Sequence, residues 1–251
     1  MTYCIGMLLR GGLVMIADSR TNAGVDNFSA YKKLHTLIHA PDRQIFACSS
    51  GSLSISQSVI GLIQEGLPAA ETGEMNRTLM GVSSMFRAAQ LVGEAVQITN
   101  RTVGAALAAI HIDSSVALLL GGRVGDAPPA LYLIYSAGNF IECKSESPFL
   151  QIGETKYGRP ILDRGITFEL PLDEAIKIGF LSFDSAMRSN LGVARPLDMM
   201  VMNADPAVPI LTHRIEPDDD YFNTLSATWS ELLHRAIGAI PSPPFMEGWC
   251  S

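Results

Sequence analysis

The sequence is short of the features that would send it to a membrane, a nucleic acid or a metal. Its longest apolar runs, such as Val116 to Leu120 and Leu131 to Tyr135, fall far below the roughly 20 residues that a bilayer-spanning helix needs. Residues 1–9 also lack the basic and apolar zones of an export signal, so the cytoplasm is the expected compartment. Positive charge is scarce. With 18 Lys and Arg against 25 Asp and Glu, the formal net charge is -7, and no basic cluster follows the spacing of a phosphate backbone. Nucleic acid is therefore not an expected partner. The four cysteines, Cys4, Cys48, Cys143 and Cys250, are scattered without the close pairing of a zinc knuckle or a redox motif, and read as buried free thiols. His35 and His39 lie four apart, but the β-branched stretch around them reads as a strand rather than a metal-binding helix face. No metal or other cofactor is expected. There is no nucleotide-binding loop either, so any ATP-driven step would need a partner to supply it.

Apolar material is plentiful. At 47% hydrophobic residues over 251 positions, the chain can bury one large core. No repeat or linker divides it, and the expectation is a single domain over residues 1–240 followed by a Pro-rich tail, 241–251. Tyr3 to Leu9 and Leu13 to Ala17 read as strands joined by a Gly11-Gly12 turn, and Leu34 to Ile38 and Ile45 to Ser49 as two more. Val25 to Tyr31 reads as an irregular connection. Helical spacing marks residues from Ile55 to about Gly66 and from Leu79 to Ile98, the latter with Met80, Met85 and Phe86 among its core-facing positions. Ala105 to Ile112, Val116 to Gly122, Ala130 to Ser136 and Phe140 to Lys144 read as a β-meander, and Phe149 to Gly153 as a further strand. Helices are expected over Tyr157 to Arg164, Leu172 to Ser189 and Tyr221 to Ile240, the last capped by Asp218-Asp219-Asp220. Strands over Met199 to Met202 and Ile210 to His213 lie between the last two. Two antiparallel sheets face to face, with helices outside each, would cover every apolar side; the expected class is α+β, a four-layer αββα sandwich. Phe245, Met246 and Trp249 in the tail are candidates for packing on a neighbour.

The chemistry concentrates in the first thirty-three residues. Thr2 directly follows Met1, and removal of Met1 would make it the chain terminus. One residue then supplies a hydroxyl nucleophile and, in its own α-amine with a reference pKa of about 8, a base to take the proton. The first hairpin returns Asp18 to the end where Thr2 begins. A lysine beside the threonine oxygen favours its deprotonated form, and an aspartate beside the lysine keeps it charged and oriented, which makes Lys33 and Asp18 the expected companions.

Gly12-Leu13-Val14-Met15-Ile16-Ala17-Asp18-Ser19-Arg20-Thr21-Asn22-Ala23-Gly24, followed by Lys32-Lys33-Leu34, resembles the opening of catalytic proteasome β subunits and their bacterial relatives among the N-terminal nucleophile hydrolases. With Met1-Thr2-Tyr3-Cys4 it is most similar to the ancestral β-type family, Anbu. The resemblance implies the αββα fold, a threonine peptidase working through an acyl-enzyme, and a self-compartmentalised homo-oligomer, ring or helical, that takes peptides or unfolded protein. It also implies that Arg20, Thr21 and Asn22 pair an extended peptide, and that the turn Cys48-Ser49-Ser50-Gly51 presents backbone N–H groups to the oxyanion. Where the family has two glycines, this chain has Cys48 and Ser49. Where a serine commonly follows the glycine matched by Gly153, it has Glu154. Where an aspartate and a serine hold the terminal amine, it offers Ser189 and Asn190. These departures leave two other functions open: a peptide-binding scaffold with little hydrolysis, or a small-amide amidase on the same fold.

Overall fold

The double glycine produces the hairpin it predicts. In the computed structural model, which describes residues 2–22, 28–69 and 75–246, β1 (Tyr3–Leu9) pairs antiparallel with β2 (Gly12–Asp18), from Leu9 opposite Gly12 to Cys4 opposite Ala17. Every residue of β2 is buried. The cause is its central place: β10 (Phe149–Gly153), β1, β2, β11 (Leu197–Asn203) and β12 (Leu211–Ile215) form one antiparallel sheet in that order. A second antiparallel sheet runs β5 (Leu34–Ala40), β6 (Arg43–Gly51), β7 (Val116–Val124), β8 (Ala130–Ile134) and β9 (Phe140–Glu142).

The sheets pack through side chains such as Leu13, Met15, Phe46, Leu119 and Met200, all at most 2% exposed. Burying each such side chain contributes roughly 1.5–3 kcal/mol. On the outer face of the second sheet, α1 (Leu53–Glu65) and α2 (Met85–Thr99) set Val59, Ile63 and Val92 against Leu118 and Leu120. On the outer face of the first lies α5 (Leu172–Ser189), so close that a Cβ at Gly179 would press on Ile16, Met7 and Ile5. The Tyr3 and Phe183 rings meet there at a tilt of 46° with centroids 4.5 Å apart, and α4 (Arg159–Gly165) packs beside α5. The order of layers is αββα, in an α+β chain.

Several elements differ from the sequence expectation. Ala105 to Ile112 is not a strand: a π-turn over Asn100–Gly104 carries the backbone from α2 into α3 (Ala105–Ala109). Four alanines in five residues give that segment a helix propensity that outweighs its apolar look. The helix expected from Leu79 begins instead at Met85, where the Ser84 hydroxyl caps the Arg87 N–H, and Leu79–Gly81 is a separate 3-10 turn. Met80 and Phe86 consequently lie half exposed rather than in the core. Cys48 to Gly51 is no turn but the last part of β6. In the connection expected from Val25 to Tyr31, residues 28–30 form β4 (Phe28–Ala30), paired with β3 (Arg20–Asn22) in a two-stranded ribbon, while residues 25–27 lie outside the described residues.

Contacts separate two compact units, residues 1–217 and 218–251. The second holds α6 (Asp220–Ala239), whose start is capped by the Asp219 carboxylate accepting the Phe222 N–H at 2.7 Å, as the acidic run predicts. Phe245 is 79% exposed at a short 3-10 turn, and Trp249 lies outside the described residues.

Candidate active site

Thr2 leads into β1 and is itself half-buried. Its carbonyl oxygen accepts the Glu154 N–H at 2.7 Å, just past β10. Gly153 sits at φ 82°, and a Cβ there would overlap the Thr2 carbonyl, so only glycine lets the two strand ends meet this closely. Across the hairpin, Asp18 closes β2 and takes the Tyr3 N–H on Oδ1 at 2.8 Å. Lys33, the residue before β5, reaches in from the other sheet. Its Nζ donates to Asp18 Oδ1 and Oδ2, both at 2.9 Å, and to the Arg20 carbonyl at 2.5 Å.

This ion pair is shut from water, with Asp18 0% and Lys33 5% exposed. Burial pushes the Asp18 carboxyl up to about 6, against the pull of the Lys33 ammonium and the Tyr3 N–H, which favour the charged form. The three bonds from Lys33 fix its ammonium in one place, at the wall of a cleft of about 120 Å³ that Thr2 also lines. Ser49, Ser50 and Gly51 of β6 form another part of that wall. The Ser49 N–H is taken by the Lys33 carbonyl at 3.0 Å, and strand alternation turns the next N–H on that side, that of Gly51, past the start of β5 toward the cleft. Gly51 has φ 97° and a Cβ would overlap the Ser115 carbonyl, so glycine is required here too.

The structure therefore gathers Thr2, Asp18, Lys33, Ser49 and Gly51. Cys48 is different: its side chain points into the core between the sheets, and only its backbone belongs to this strand end. Arg20, Thr21 and Asn22 form β3, one edge of which pairs with β4, from Arg20 opposite Ala30 to Asn22 opposite Phe28.

Glu154 and Asn190 make a second cluster. Glu154 is 5% exposed; its Oε1 accepts the N–H groups of Lys156 and of Tyr157, the latter at 3.0 Å, and its Oε2 accepts the Asn190 amide at 2.9 Å. Burial opposes its charge, but those donors hold the carboxyl below its ordinary value. Asn190 Oδ1 in turn accepts the Gly192 N–H at 3.0 Å. Both residues line a separate cleft of about 510 Å³, and the link to Thr2 is the Glu154 main chain. Ser189 is exposed at the end of α5 on that same cleft and does not join the Thr2 site.

The sequence reading missed His35, Ser56 and Gln57, which complete the Thr2 cleft. Two signals were available. His35 follows Lys33 by two residues, Lys33 just before β5 and His35 within it, and Leu53, Ser56 and Gln57 have the i, i+3, i+4 spacing of one helix face. The His35 Nε2 lies 3.4 Å from the Ser49 hydroxyl, and burial, then Lys32, lowers its pKa from the usual value. Among the described residues no three His, Cys, Asp or Glu side chains cluster as metal ligands, and no helix is long and apolar enough to cross a membrane.

No protein-family model and no curated protein matches the chain. Solved structures do. Anbu, an ancestral β-subunit, from Yersinia bercovieri is 39% identical with a TM-score of 0.85, covering 96% of this chain and 98% of its own. A Gly-1 mutant of Anbu from Hyphomicrobium sp. strain MC1 is 39% identical with a TM-score of 0.87, covering 97% and 99%. The Anbu complex from Pseudomonas aeruginosa, solved as a helical assembly, is 41% identical with a TM-score of 0.88, covering 97% and 98%. At such identity over nearly the whole of both chains, with the proteasome-like sandwich and the Thr2, Asp18 and Lys33 grouping in place, this chain belongs to the Anbu family of ancestral proteasome β-type proteins.

Proposed function

We propose that this chain is an N-terminal threonine peptidase. The observation that carries the reading is the buried Asp18–Lys33 pair, with Nζ 2.9 Å from both carboxylate oxygens, beside the cleft that Thr2 lines. Once Met1 is removed, the Thr2 α-amine takes the proton from Oγ as Oγ attacks the scissile carbonyl. The Lys33 ammonium favours the oxyanionic form of that hydroxyl, and Asp18 keeps the ammonium charged. The Gly51 N–H is the candidate donor to the tetrahedral oxyanion. Collapse of the intermediate passes the proton to the leaving amine and leaves a Thr2 ester. Water, deprotonated by the same amine, hydrolyses it.

An extended peptide would add to the edge of β3 not taken by β4, as main-chain pairing at an open strand edge. Homo-oligomerisation is the expected setting, because the Pseudomonas aeruginosa relative forms a helical assembly. The cytoplasm is the expected location, and an ATP-driven unfoldase, if one feeds the assembly, is a separate partner.

Fluorogenic peptides compared between the Met1-free parent and Thr2→Ala test the mechanism. Turnover by the parent and none by Thr2→Ala is expected; equal turnover would overturn it. A second reading, peptide binding without hydrolysis, draws on Glu154, whose carboxylate is committed to loop N–H groups and Asn190 rather than to the nucleophile. Processed protein that binds peptides and never turns them over would favour it. A small-amide amidase would react with short inhibitors as readily as with extended ones.

A further inference from the structure

The Glu154, Ser189 and Asn190 side chains line a cleft apart from that of Thr2, so the chain start is held in place by other means. The residue that follows Thr2 supplies them. Tyr3 is 0% exposed and anchored at both ends. Its N–H goes to Asp18 Oδ1, and its hydroxyl lies 2.6 Å from that of Ser182, within α5.

Ser182 shares the buried face of α5 with Gly179, Phe183 and Ala186, and is itself 0% exposed. A hydroxyl in such a place is costly unless it is bonded. Ser182 Oγ donates to the Gly158 carbonyl at 2.9 Å. A serine has one proton to give, so in the other bond the Tyr3 hydroxyl donates and Ser182 accepts. Burial pushes the Tyr3 hydroxyl well above its ordinary pKa, which keeps that proton on it.

These bonds close a ring. Gly158 ends the segment that begins at Glu154, and the Glu154 N–H donates to the Thr2 carbonyl at 2.7 Å. Inside the segment, the Glu154 carboxylate accepts the Lys156 and Tyr157 N–H groups and so ties its middle to its start. From Thr2 the path runs through Tyr3, Ser182, Gly158 and Glu154 and returns to Thr2. Glycine suits the junction, since a Cβ at 158 would press on both the Tyr3 and the Ser182 hydroxyls.

We infer that Ser182 is a positioning residue for Thr2: from the interior of α5 it fixes the residue after the nucleophile and, through Gly158 and Glu154, the nucleophile's own carbonyl. Ser182 acts only through these neighbours and touches no reacting atom. Its bearing on rate rests on the peptidase reading, whereas its hold on Thr2 does not.

Two measurements on Met1-free protein keep these apart. Amide hydrogen exchange at Glu154 reports the bond to the Thr2 carbonyl without any turnover. Ser182→Ala should speed that exchange by about five- to tenfold, the scale of one lost hydrogen bond, and leave the amides of β7 in the other sheet unchanged. Tyr3→Phe, which keeps the ring against Phe183 and removes only the hydroxyl, should do the same and serves if Ser182→Ala does not fold. Exchange at Glu154 that stays at the parent rate, or that rises equally throughout β7, would overturn the inference. In the second measurement, on fluorogenic peptides, Ser182→Ala should lower kcat by about tenfold with KM within twofold, because a displaced nucleophile slows the chemical step while the edge of β3 still pairs the peptide. A loss carried by KM instead, or an unchanged kcat beside faster exchange at Glu154, would overturn the positioning role. If the parent turns over no peptide and the exchange effect is present, the peptidase reading fails and the hold on Thr2 stands.

Discussion

On the hairpin side of Thr2, an aspartate at the end of β2 and a lysine at the mouth of β5 meet in a dry ion pair of two bonds, with a third from the lysine to the Arg20 carbonyl. On the loop side, Glu154 and Asn190 meet where two connections, after β10 and after α5, come together. Both are buried acids with full sets of donors, yet they differ in what they are donated. Asp18 receives an ammonium and one backbone N–H; Glu154 receives backbone N–H groups and an amide, with no cation in direct contact among the described residues. The first arrangement fixes a charge beside the nucleophile, while the second fixes the course of two loops. Position on a strand makes the difference: β2 and β5 hold their ends to the register of the sheets, and loops must be clamped by side chains.

Breaking the hairpin side should have the largest effect. Lys33→Ala leaves Asp18 buried without its partner and is expected to cost about 3–5 kcal/mol in denaturant unfolding, with kcat/KM lower by about 100- to 1,000-fold. Asp18→Asn keeps an acceptor for Tyr3 but removes the charge, and a fall of about 100-fold in kcat/KM is expected. Either variant behaving like the parent would place the working charge elsewhere.

Acid should mimic Asp18→Asn. With Asp18 raised to about 6, its carboxylate is lost as the pH falls through that value, so below it kcat/KM should fall by about a further tenfold per unit on top of the acid limb that the Thr2 amine imposes. The stability term has the opposite sense. Between about pH 4 and 6 the folded chain keeps a proton on Asp18 that the unfolded chain has released, so this group's contribution to stability declines as the pH rises through that window. Asp18→Asn should remove the stability dependence and the steepening near 6 while keeping the acid limb of the Thr2 amine, and a break near 6 that persists in that variant would assign it to another group.

The loop side should be gentler. Glu154→Gln can still offer an oxygen to Lys156 and Tyr157, and is expected to lower stability by about 1–2 kcal/mol and kcat/KM by less than tenfold. A loss as deep as that of Lys33→Ala would mean that the Glu154 charge reaches Thr2, and the contrast between the two sides would collapse. Ser189→Ala, at an exposed helix end, should stay within about 0.5 kcal/mol and within twofold in rate.

The same division explains how far the sequence could be read. Asp18 was predictable because a two-glycine turn fixes the hairpin register and hence which residue faces the chain start. Lys33 was expected from the chemistry, as the ammonium that an aspartate would hold charged beside the threonine oxygen, and the two sheets from alternation and turn residues. Glu154 and Asn190 are 36 positions apart, and nothing in their local sequence records that two loops bring them within 2.9 Å. Ala105 to Ile112 misled for a different reason. A run of eight, apolar but for His111, fits a strand or a helix alike by periodicity, and its alanines, which decide the matter, weigh little beside its isoleucines in a reading by hydrophobicity. His35 was weighed only beside His39 and set aside as a strand residue; it stands near the start of β5, two residues past Lys33, and both line the Thr2 cleft.

Intact-mass and peptide-mapping mass spectrometry, after treatment with an inhibitor that reacts covalently with N-terminal threonine, tests the central claim most directly. A single adduct on the chain that begins at Thr2, absent from Thr2→Ala and from Lys33→Ala, is the predicted result. A chain freed of Met1 that stays unmodified, or that carries the adduct on another residue, would contradict it.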